Sequence, residues 1–129
     1  MKQWIAGMVL CLFLVGCSGK MPDEKVKDLD FTVVEEGEIP EELIEEIESR
    51  KKEPFHLSYS CGEELYVVVG YGTQESGGYS IQVPGFYLTK QAIVVETLLV
   101  GPKEKGEKVR SYPYVVIKTE NREEPIVYV

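Results

Sequence analysis

Read for alternation of apolar and polar positions, the chain divides into an apolar leader, one helix and a run of strands. Ile5 to Val15 is apolar or small throughout, with no acid and no base. Phe31-Thr32-Val33-Val34 is a short strand candidate rich in β-branched residues, and Gly37 breaks it. From Ile39 to Glu53, Leu43, Ile44 and Ile47 make a narrow apolar stripe at helical spacing. Pro40 suits the start of that helix, because the N–H it lacks has no partner there in any case. Glu41, Glu42, Glu45 and Glu46 crowd the first turns and Arg50, Lys51 and Lys52 the last, which complements the helix dipole. Pro54 ends the helix.

After Pro54 the period changes to that of strands. Phe55 to Tyr59 alternates. Leu65 to Val69 is continuously apolar, as a central strand covered on both faces would be. Tyr79-Ser80-Ile81-Gln82-Val83 alternates, with Tyr79, Ile81 and Val83 on one face. Ala92 to Val100 is a longer strand interrupted at Glu96 and Thr97. Pro102 to Lys108 is a charged turn. Tyr114 to Ile117 is a further strand, with Pro113 just before it, where a proline is tolerated. Ile126 to Val129 is short enough either to add an edge strand or to fray. Close-spaced strands after one helix predict a mainly β (α+β) fold, an antiparallel β-sandwich or open barrel with one packed helix.

The leader changes how the rest is read. Eleven helical residues rise only about 16 Å, against a hydrocarbon core about 30 Å thick. The segment therefore has the length and flanks of a signal-peptide core, with Lys2 as the only charge before it. Leu14-Val15-Gly16-Cys17 closes it and resembles a bacterial lipobox. That resemblance implies cleavage before Cys17, lipid on its sulfur, and a chain anchored on the extracytoplasmic face of a cell membrane. Two acyl chains suffice for stable anchoring where one does not. The expected organisation is a signal peptide over 1–16, lipidated Cys17 with a flexible tether to residue 30, and one mainly β domain over 31–129.

The 129 residues carry a formal net charge of −8, and loss of Lys2 with the leader makes it −9. This acidity argues against nucleic acid, which needs clustered Lys and Arg. Of three cysteines, Cys11 goes with the leader and Cys17 with lipid, so Cys61 is left without an intramolecular partner. Cys61 reads as a small half-buried residue in the turn Ser60-Cys61-Gly62-Glu63. Catalytic material is sparse. The single histidine, His56, is five positions from Cys61, and odd spacing puts extended side chains on opposite faces. Neither a metal site nor a phosphate loop is legible, so no enzyme, cofactor or metal is expected.

The distinctive stretch is Gly72-Thr73-Gln74-Glu75-Ser76-Gly77-Gly78-Tyr79-Ser80-Ile81. Two readings stand side by side. One is a hairpin turn in which Gly77 and Gly78 take positive φ and Tyr79 plugs the core. The other is an exposed binding loop on a rigid sheet. A strand followed by Gly-x-x-x-[Ser/Thr]-Gly-Gly-Tyr-Ser-Ile resembles the signature of the PrcB C-terminal domain family. Val100-Gly101-Pro102 and then Ser111-Tyr112-Pro113-Tyr114-Val115-Val116 follow in that family's order, so the similarity covers about residues 64–118. Ile39-Pro40-Glu41-Glu42-Leu43 also fits the layout common upstream. Relatives often read Gly-x-Lys-Pro-Thr-Gly-Gly-Tyr, whereas this chain has Gln74 and Glu75 in place of Lys and Pro.

The resemblance implies a non-catalytic lipoprotein that binds, stabilises or helps mature a secreted protease. The contact residues expected for such binding are Gly72, Ser76, Gly77, Gly78, Tyr79, Tyr112, Pro113 and Tyr114. Over a handful of residues the same loops are similar to those of the immunoglobulin-like cysteine-protease inhibitors of the chagasin family. An inhibitor-like module, or a receptor for a small ligand or cell-wall polymer, is the alternative expectation.

Overall fold

The computed structural model describes residues 24–104 and 108–129. The leader, Cys17, the first part of the tether and part of the 102–108 turn lie outside the described residues. The elements in order are β1 (Lys27–Asp28), β2 (Thr32–Val33), a 3-10 turn (Glu36–Glu38), α1 (Glu41–Arg50), β3 (Pro54–Cys61), β4 (Glu64–Tyr71), β5 (Ser80–Leu88), β6 (Ile93–Val100), β7 (Tyr114–Glu120) and β8 (Ile126–Tyr128). They form two four-stranded sheets, ordered β1-β5-β6-β8 and β2-β7-β4-β3. This is the mainly β, one-helix sandwich the pattern predicts, and it is not closed into a barrel.

The continuous apolar run of β4 has a simple cause. Its odd positions, Leu65 and Val67, join Phe86, Ile93, Val95, Val115 and Ile117 in the core between the sheets. Its even positions, Tyr66 and Val68, join Val116, Leu43 and Ile47 in a second core beneath α1. A strand sandwiched between a sheet and a helix must be apolar on both faces, because successive side chains point to opposite sides. β7 repeats the pattern with Val115 and Ile117 on one side and Val116 on the other. Across from Gly70, the Phe55 ring occupies the space a Cβ would fill, which fixes the β3–β4 register at that point.

Several expectations shift. The helix is shorter than Ile39–Glu53: Pro40 caps it and Lys51 follows its last residue, while Pro54 opens β3. Cys61 is the exposed last residue of β3 rather than a half-buried turn residue. The folded domain also begins before Phe31, since Lys27 and Asp28 pair with Leu88 and Tyr87 and Leu29 packs on the core. β5 runs past Val83 to Leu88 through a register shift between Gln82 and Gly85. Pro84 is accommodated there because a bulge takes residues out of the ladder. β8 does form, but it pairs parallel to β6. The chain leaves β6, reverses through β7 in the other sheet and returns, so it re-enters the first sheet in the β6 direction.

Candidate functional site

The Gly72–Tyr79 segment is not a hairpin turn. It carries the chain from β4 in one sheet to β5 in the other. The crossing is held by backbone conformation and by hydrogen bonds. Gly72 has φ +78° and is buried; a Cβ there would stand 2.9 Å from the Pro54 nitrogen and Cδ. Thr73 donates both its N–H and its hydroxyl to the Lys52 carbonyl, at 3.2 and 3.0 Å. The Gln74 amide side chain donates to the Tyr71 carbonyl at 3.1 Å. Of the two adjacent glycines only Gly78 takes positive φ, at +87°, with its Cα side against Pro102. Among the described residues nothing lies within 4 Å of a Cβ added at Gly77. Gly77 is therefore free of the structural duty its neighbour has, and the paired positive φ expected at Gly77 and Gly78 is not observed.

The second segment lies directly beside this loop. Gln74 and Ser111 form an isolated antiparallel bridge, with N–H···O distances of 2.8 and 3.0 Å in the two directions. The Ser111 hydroxyl donates to the Ser76 carbonyl at 2.6 Å. Tyr71 donates its N–H to the Pro113 carbonyl at 3.1 Å. One continuous backbone surface thus joins Gly72–Ser76 to Ser111–Pro113.

The aromatic rings divide between two places. The Tyr79 ring lies over Gly101, near the inter-sheet crossing. Tyr112, Pro113 and Tyr114 instead line a groove of about 380 Å³ beside α1, together with Val33, Val34, Glu36, Ile39, Glu48 and Lys51. Lys51 bridges to Glu48 at 2.8 Å and holds its ammonium 5.0 Å from the centre of the Tyr112 ring. Burial and the carboxylates of Glu36 and Glu48 push the Tyr114 hydroxyl pKa up, against the opposing charge of Lys51. The groove therefore offers one aromatic wall, one carboxylate rim and a cation tied to both.

Glu36, Glu48 and Lys51 are groove residues that the sequence reading missed. The i, i+3 spacing of Glu48 and Lys51 puts them on one flank of the helix, and nothing in that spacing points to a groove. Sequence spacing relates His56 only to Cys61. The two occupy β3 five positions apart, and the His56 ring stacks instead on Tyr128 of β8, with centroids 3.8 Å apart and planes 17° apart. Burial pushes the His56 pKa down. Among the described residues no group of three or more His, Cys, Asp or Glu side chains is placed to hold a metal ion. No described helix is long and apolar enough to cross a membrane.

No curated protein and no solved structure matches this chain. The family model of the PrcB C-terminal domain matches residues 65–120. That span runs from β4 through the crossing loop and the β5–β6 hairpin to the end of β7, and it contains both bridged segments while leaving out α1, β3 and β8. Over residues 65–120 the chain is therefore similar to the PrcB C-terminal domain family.

Proposed function

We propose that this protein is an exported lipoprotein, held on the outer face of a membrane by lipid on Cys17, whose β domain binds a secreted protease as a non-catalytic accessory subunit. The observation that carries the reading is the Gln74–Ser111 bridge. It unites the two segments that hold the family signature into one surface of loop backbone. A partner loop approaching Gly77 meets no Cβ, and Tyr112 supplies amphipathic contact area with little side-chain entropy to lose. The family's name points to a protease complex, and a binding subunit needs no catalytic group of its own. In this chain Gln74 and Glu75 stand where relatives often have Lys and Pro, so the contact relies on backbone and Tyr rather than on a cation in the loop.

The test is capture of native partners. The lipidated protein, tagged at its C-terminus, is recovered from gently solubilised membranes and its companions are identified. The expected result is a secreted protease in stoichiometric amount, lost with Gly77→Val or Tyr112→Ala while circular dichroism is unchanged. Recovery of the protease at wild-type level with both variants would refute this surface. The groove beside Tyr112 and Tyr114 supports a second reading, a site for a small ligand or wall polymer. That reading predicts recovery without a protein partner and a thermal shift on adding wall fragments.

A further inference from the structure

A sheet edge strand exposes a row of unpaired backbone donors and acceptors, and soluble proteins keep such edges short, charged, bulged or interrupted by proline. Three of the four edges here follow that rule. β1 and β2 have two residues each and β8 has three. The fourth, β3, has eight, pairs with β4 over its whole length without a register shift, and among the described residues has no strand on its other side. Its sequence, Pro54-Phe55-His56-Leu57-Ser58-Tyr59-Ser60-Cys61, holds no acid, Lys or Arg, and its proline is at the first position.

The register shows which groups face outward. Tyr71 donates to Pro113, so odd residues of β4 turn their backbone to β7 and even ones to β3. Opposite Gly70, Val68, Tyr66 and Glu64 stand Phe55, Leu57, Tyr59 and Cys61, which complete that ladder. The intervening His56, Ser58 and Ser60 turn their N–H and C=O away from the sheet.

Charge selects what fits there. α1 packs over the face of the sheet that carries Phe55, Leu57 and Tyr59. Glu42 on its flank is close enough to Tyr59 to help burial raise that hydroxyl's pKa. Glu46 lies one turn further along the same flank, paired with Arg50 at 3.1 Å. Antiparallel pairing of two copies through β3 would lay both helices on one face and bring together two chains of net charge −8 each. A strand bearing cations on the helix side meets the opposite situation.

We propose that β3 is a strand-addition site, which takes an extended segment of a partner protein with Lys or Arg at alternate positions facing α1 and uncharged residues beside His56 and Tyr128. In such complexes main-chain hydrogen bonds supply affinity and alternate side chains supply selectivity. β3 and α1 lie outside residues 65–120, so this surface is separate from the span the family model matches.

The test follows amide hydrogen exchange of the full chain by NMR, with a synthetic peptide that alternates lysine and valine and is about as long as β3. Bound peptide is expected to slow exchange at His56, Ser58 and Ser60 by about tenfold or more, with little change at Phe55, Leu57 and Tyr59. Ser58→Pro removes an outward donor and no bond to β4. It should abolish the slowing while the fold is retained, and Gly77→Val should leave the slowing intact. Glu42→Lys should weaken peptide binding several-fold, which keeps the proposal testable if Ser58→Pro does not fold. Equal slowing by a glutamate–valine peptide, or full affinity with Glu42→Lys, would overturn it. So would no slowing at β3, or slowing that grows with protein concentration alone, which would mark a second copy as the occupant.

Discussion

Gly72 and Gly77 stand five residues apart in one glycine-rich loop and have opposite duties. Gly72 is held at φ +78° with the Pro54 ring and nitrogen where a side chain would begin. A left-handed conformation costs an L-residue roughly 1–2 kcal/mol, before any clash. Gly72→Ala is therefore expected to lower stability by at least about 1 kcal/mol in urea denaturation. Gly77→Ala, in open space at negative φ, is expected to change it by no more than about 0.5 kcal/mol. Equal losses at the two positions would mean that the loop is not held as described. The sequence marks the stretch as glycine-rich without saying which glycine is structural. That depends on Pro54 and Pro102, brought up from elsewhere in the chain.

The helix shows the same division at the scale of an element. Its existence was legible from Leu43, Ile44 and Ile47 and from the order of acids before bases. The burial of Leu43 at 1% and Ile47 at 0% exposure matches the stripe. Ile47→Ala is expected to cost about 2–5 kcal/mol, since it leaves a cavity between α1 and the buried Val68 and Val116. Glu45→Ala, on the solvated face, should stay within about 0.5 kcal/mol. A small effect at Ile47 in the same denaturation series would show that the helix is only loosely docked. The strands were equally legible where they alternate or run apolar. The alternation that marks β5 in the sequence ends at Val83, and Pro84 and Gly85 follow it. In the fold they sit at a bulge, where Gly85 leaves room for the Glu96 side chain of the neighbouring strand.

At the scale of the whole molecule, the stack of His56 on Tyr128 joins the last strand of one sheet to the last strand of the other. Burial lowers the histidine pKa, so the folded state prefers the neutral ring. Between the folded value and the ordinary value near 6.5 the unfolded chain binds more protons. The stabilising contribution is thus complete above that ordinary value and is lost as pH falls toward the folded one. His56→Phe keeps a ring against Tyr128 and removes the titration. Its urea midpoint should change less than that of the wild type between about pH 7.5 and about pH 5.5. Glu124, whose pKa is lowered chiefly by its hydrogen bond from Arg122, acts below that window. Identical pH profiles for the two proteins would exclude His56 as the source.

Local chemistry was enough to determine the helix, most of the strands, the two-faced burial of β4 and the likeness of 64–118 to a known domain. Each of these rests on residues close together in sequence: periodicity, β-branching, charge order or a short motif. Only the tertiary structure decided that the glycine-rich loop crosses between sheets, that β8 runs parallel to β6, and that Tyr112 and Tyr114 share a groove with Glu36, Glu48 and Lys51. It alone singled out β3 as the one long open edge among the described strands. These properties depend on which strand becomes whose neighbour. That choice is made by the joint packing of two cores, one between the sheets and one beneath the helix, and no local window of the sequence contains it.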